Sequence, residues 1–124
     1  MGNPVVHFEF WSDAPASTAE FYTRAFDWKM EHVPELAYWM ADTDGAEGNK
    51  GMNGGIFRPD GEASSWPAKT AIYIQVPALA PALERVVAAG GSILVERKEI
   101  PGMGALSLFS DPDGRVVGLW EMGV

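Results

Sequence analysis

The order strand, helix, strand, strand, strand runs through this chain twice, and few folds can be built from such a repeat. The first copy opens on VVHFEFW, Val5 to Trp11. Side chains of a strand switch faces at every residue, so Val6, Phe8 and Phe10 share one face while His7, Glu9 and Trp11 share the other. Asp13 and Pro15 end the strand. The apolar series Thr18, Phe21, Tyr22, Ala25 and Phe26 then predicts a helix, with Phe21, Tyr22 and Phe26 in the core. Lys29 to Val33 reads as a second strand closed by Pro34, and Glu35 to Asp42 as an aromatic-rich third ended by Asp44-Gly45. Gly48 to Gly55 is glycine-rich but lacks the Lys-Ser/Thr of a phosphate loop, so it reads as the entry to a fourth strand, Met52 to Arg58.

Residues 59–68 are polar and turn-rich, a linker by composition. The pattern then restarts. Thr70 to Val76 alternates with Ala71, Tyr73 and Gln75 on one face and Ile72 and Ile74 on the other. Pro77 and Pro81 bracket a helix start, Leu79, Leu83, Val86 and Val87 form its apolar stripe, and Gly90-Gly91 stops it. Strands are expected at Ser92 to Arg97, Ala105 to Ser110 and Arg115 to Glu121, the last two joined by the turn Asp111-Pro112-Asp113-Gly114. A shift of about 64 residues lays Ala71 on His7, Tyr73 on Glu9 and Gln75 on Trp11. The repeat predicts one α+β domain over residues 1–124, with βαβββ modules at about 4–58 and 69–122. Two curved mixed sheets with helices on their outer faces would enclose a cleft lined by the uncovered faces.

Composition narrows the partners. A net charge of −8 argues against nucleic acid and against anionic membranes, which attract basic patches. There is no cysteine for disulfides or thiolate sites, no apolar run long enough for a bilayer, and no basic, apolar leader in MGNPVV. These features suit the cytoplasm.

The uncovered face of the first strand is where chemistry is expected. His7 and Glu9 lie on it about 7 Å apart and form a candidate acid–base pair. Trp11, Tyr73 and Trp120 take the same kind of face, together with Tyr38 or Trp39, and could hold a flat aromatic ligand or a cation. Asn53 and Gln75 are candidate polar anchors, and Met40, Met52 and Met103 candidate pocket lining. His32 is expected to be solvated.

Three stretches carry a resemblance: VVHFEF with EFYTRAFDW, AAGGSILVE from Ala88, and FSDPDGRVVGLWE from Phe109. Together they resemble the vicinal oxygen chelate superfamily of glyoxalases, bleomycin-resistance proteins and extradiol dioxygenases, and most nearly predicted enzymes related to lactoylglutathione lyase. The resemblance implies paired βαβββ modules, a homodimer and, in metal-dependent members, a divalent ion held by one residue from each of four strands. Those positions fall on His7, Gly55, Ala71 and Gly118, of which His7 alone offers a donor. Glu121, a common terminal ligand type, falls on the face opposite Gly118. The implied protein is therefore a metal-free member, without cofactor, that binds a small aromatic molecule, with proton transfer by His7 and Glu9 as its available chemistry. A drug-sequestering protein for cationic compounds and a metal-dependent lyase or dioxygenase with an unusual ligand set are the alternatives.

Overall fold

The computed structural model describes residues 2–61, 64 and 69–123, so most of the expected linker lies outside the described residues. The chain divides into two compact units, His7–Thr70 and a second that joins residues up to Val6 to those from Ala71 onward. Each unit carries one βαβββ pattern, and the fold is α+β.

The first pattern comprises β1 (Val5–Trp11), α1 (Pro15–Phe26), β2 (Lys29–Val33), β3 (Tyr38–Asp42) and β4 (Gly54–Phe57). Its strands lie in the order β2-β3-β4-β1; β1 and β4 are parallel and the other neighbours antiparallel. Parallel neighbours need a crossover, and α1 begins it. Pro15, whose missing N–H is harmless in the first turn, starts that helix. Asp27, at φ 60°, stops it, donating its N–H to the Thr23 carbonyl at 2.9 Å. Phe8 packs on Trp28 and Phe10 on Tyr22, with ring centroids 5.6 and 5.2 Å apart, so the apolar face of β1 lies under the helix. His7, Glu9 and Trp11 therefore take the face that α1 leaves uncovered.

The second pattern comprises β5 (Thr70–Gln75), α2 (Leu79–Ala88), β6 (Ser92–Ile100), β7 (Gly104–Ser110) and β8 (Val116–Met122), with strand order β5-β8-β7-β6. Here β5 and β8 are parallel and the rest antiparallel. Leu79, Ala82 and Leu83 of α2 pack with Val76, Ala105 and Leu119 as its core. Buried Ser107 donates to the Glu96 carbonyl beside an irregularity in the β6–β7 pairing. In the predicted turn, the Asp111 carboxylate accepts the N–H groups of Asp113 and Arg115 at 2.9 Å each.

Several expectations need correction. Phe21 is 58% and Phe26 62% exposed, so neither is core. The buried side of α1 is centred on Ala19; Phe21 lies two residues on, about 200° around the helix axis. Phe26 sits at the end of the last turn, touching Tyr22 and Trp28 by ring edges and faces at 6.1 and 6.4 Å. Val87 is likewise more than half exposed. The third strand starts at Tyr38, because Pro34–Leu36 forms a 3₁₀ turn ended by Ala37 at φ 50°. His32, expected to stand in water, is exposed but stacks on Trp39, with centroids 4.3 Å apart.

Candidate functional site

Register decides which side chains meet. Glu9 is paired with Gly55 and Trp11 with Phe57 across β1 and β4; Tyr38 is paired with Phe57 and Met40 with Gly55 across β3 and β4. His7, Glu9, Trp11, Phe57, Tyr38 and Met40 consequently share the uncovered face of the first sheet. Trp39 takes the opposite face, so Tyr38 is the aromatic of the predicted pair that joins the site.

The centre of the arrangement is the Tyr38 hydroxyl. It donates to Glu9 Oε2 at 2.9 Å and lies 2.8 Å from His7 Nε2. The second carboxylate oxygen, Glu9 Oε1, accepts the Trp11 indole N–H at 2.9 Å. Glu9 is only 6% exposed, and a buried carboxylate left without donors would be strongly destabilising. Indole and phenol supply those donors. Because the single phenolic hydrogen points to Glu9, His7 must meet the phenol oxygen with Nε2–H, which fixes the neutral tautomer. Burial holds the His7 pKa below its ordinary value. Burial first, then the charge of Glu9 and the hydrogen bond to it, push the Tyr38 phenol well above its ordinary range. The phenol thus remains a hydrogen-bond donor.

Rings frame this chain of groups. Tyr38 and Phe57 stack almost parallel, 4° apart in plane and 5.8 Å between centroids, and Trp11 meets Phe57 edge-on at 6.4 Å. Stacks of this kind are worth about 0.5–1.5 kcal/mol beyond area burial. Phe57 was missed as a site residue, although its position two residues past Gly55 put it on the same face.

The other candidates are placed differently. Asn53 sits in the loop before β4, where its side-chain oxygen accepts the Thr43 N–H at 3.3 Å, tying the loop rather than joining the His7 cluster. Tyr73, Gln75 and Trp120 belong to the second unit and share one face of its sheet, Tyr73 paired with Gly118 and Gln75 with Trp120. Tyr73 is 4% exposed and Trp120 half-buried. Glu121 lies on the helix side, accepting the Leu79 N–H at 2.8 Å and an Arg97 guanidinium N–H at 3.2 Å.

A family model for the Glyoxalase/Bleomycin resistance protein/Dioxygenase superfamily matches residues 5–119. The chain belongs to this superfamily. Anthracycline biosynthesis protein DauV of Streptomyces sp. is 27% identical over 127 residues, covering 94% of this chain and 46% of that protein. The putative glyoxylase CFP32 of Mycobacterium bovis is 27% identical over 110 residues, covering 86% and 41%. The chain spans less than half the length of these curated relatives. Among solved structures, Streptomyces coelicolor methylmalonyl-CoA epimerase in complex with 2-nitronate-propionyl-CoA superposes with a TM-score of 0.71 at 13% identity, covering 100% of both chains. A superfamily member from Vibrio splendidus 12B01 gives 0.66 at 14% identity, covering 96% and 98%. At these identities the structural likeness establishes the fold.

The divalent ion of metal-dependent superfamily members does not fit the residues present. A three-ligand catalytic site needs side chains that converge, and no group of three or more His, Cys, Asp or Glu does so among the described residues. A Cβ added to Gly55 would lie 1.7 Å from the Tyr38 oxygen, and one added to Gly118 would lie 2.3 Å from the Tyr73 ring. Ala71 contributes a buried methyl group. Two of the four ligand positions are thus covered by tyrosine rings.

Proposed function

We propose that this protein binds a small, flat aromatic molecule on the uncovered face of its first module, without a divalent ion. The observation that carries this reading is the Tyr38 side chain, whose ring lies parallel to Phe57 while its hydroxyl joins His7 to Glu9. A planar ligand gains dispersion and stacking energy on such rings. Half-buried His7 and partly exposed Met40 supply a polar and an adaptable apolar contact beside them. The likeness to an anthracycline biosynthesis protein supports a polycyclic aromatic class of ligand. The chemistry open to this face is proton transfer, with the His7 imidazole as acid or base and Glu9, through Tyr38, holding its tautomer.

Titration with a neutral anthraquinone and with a cationic anthracycline, read by quenching of tryptophan fluorescence, tests the reading. Both compounds should quench, with little effect of salt. Tyr38→Ala should weaken the neutral compound about tenfold, equivalent to 1.4 kcal/mol. Quenching by the cationic compound alone, lost as salt rises, would instead favour sequestration of cations by the acidic chain. No saturable quenching by either would end the proposal.

A further inference from the structure

We propose that Tyr38 is the residue that closes the first module to metal ions: its phenol occupies the volume of a β4 donor side chain and engages both groups an ion would need. A Cβ on Gly55 would lie 1.7 Å from the phenol oxygen and 1.9 Å from the ring carbon that bears it. That oxygen lies 2.8 Å from His7 Nε2 and 2.9 Å from Glu9 Oε2. Any side chain at 55 would therefore begin within about 4.6 Å of both, and a carboxylate there would complete a His, Glu, Glu set of the kind first-row divalent ions accept. Strands β3 and β4 compete for one volume. Glycine on β4 concedes it, and tyrosine on β3 fills it with an oxygen that cannot easily lose its proton. The phenol, donating to Glu9 and accepting from His7, bridges two groups that an ion would bridge in its absence.

The inference goes beyond the ligand reading and does not depend on it, since its probes are an ion and a melting temperature. The first test is a double-mutant cycle between Gly55→Ala and Tyr38→Ala. In the presence of Tyr38 the added methyl group should lower the melting temperature by about 5 °C or more. In the Tyr38→Ala background it should cost far less, because the space is open. The second test is cobalt(II) absorption. Tyr38→Ala, which removes the phenol that bridges His7 and Glu9, should bind Co²⁺ more tightly than the natural chain. The Gly55→Glu/Tyr38→Ala double variant should bind it more than about tenfold more tightly, since even outer-shell partners of a metal ligand are worth that much. Additive melting losses would overturn the proposal. So would a natural chain that takes up Co²⁺ as tightly as either variant. If the double variant does not fold, Tyr38→Ala alone still decides the ion arm and the alanine cycle decides the volume.

Discussion

In the first module the carboxylate of Glu9 lies on the sheet face that α1 leaves uncovered, whereas in the second the carboxylate of Glu121 lies under α2. Glu9 collects an indole and a phenol and links them to an imidazole. Glu121 accepts the first N–H of α2, Leu79, and pairs with Arg97. The two acids share a residue type and a strand setting. The face they take gives one a place in a candidate site and the other a role in fastening a helix. Both modules also lay a tyrosine over a glycine of a neighbouring strand, Tyr38 over Gly55 on antiparallel β4 and Tyr73 over Gly118 on parallel β8. In the first module the tyrosine hydroxyl bridges Glu9 and His7.

This contrast can be broken from either side. The largest effect belongs to the second module's core. Leu79→Ala, at a position 1% exposed, should cost about 3 kcal/mol in urea unfolding. Next is Glu9→Ala, which strands the Trp11 and Tyr38 donors. A loss of about 2 kcal/mol is expected, and a loss within experimental error would show that the polar chain does not help hold the first module together. Tyr38→Phe keeps the ring on Phe57 and removes the bridge, so about 1 kcal/mol should be lost. Nuclear magnetic resonance of the His7 ring in that variant should show that the tautomer is no longer fixed.

Acid separates the two modules further. The His7 pKa is held below its ordinary value, so the unfolded chain binds more protons in that window. Stability should be flat above about pH 6.5 and fall as pH drops toward the folded-state value, a fall that His7→Gln should remove. The Glu121 pKa is also lowered, chiefly by the Leu79 N–H and then by the Arg97 hydrogen bond. Its contribution is present above the ordinary glutamate range and is lost as pH falls through the lower folded value, so Glu121→Gln should flatten only the more acidic part of the curve. Last and smallest, Phe21→Ser should change stability by less than about 0.5 kcal/mol, because the ring is mostly in water.

Much of the architecture was legible because two periodicities carry it. Alternation in Val5–Trp11 assigned His7, Glu9 and Trp11 to one face, and the same rule assigned Glu121 away from Gly118. Helix burial was less legible. Phe21, Ala25, Tyr22, Phe26 and Ala19 spread over about 160° of the helix, and only the position of the sheet decides that Ala19 goes inside while Phe21 stays out. Polarity beside glycine has several uses, and at Asn53 the structure shows one of them, a side-chain oxygen that accepts the Thr43 N–H.

By itself the sequence determined the twofold βαβββ order and the faces of its strands. Those follow from local rules, the reach of one residue to the next. Only the tertiary structure decided that the phenol of Tyr38 fills the place of a side chain at Gly55 and joins His7 to Glu9. That outcome depends on the register of three strands: a slip of one residue in β3 would have sent the ring to the other face, and one in β1 would have sent His7 and Glu9 there.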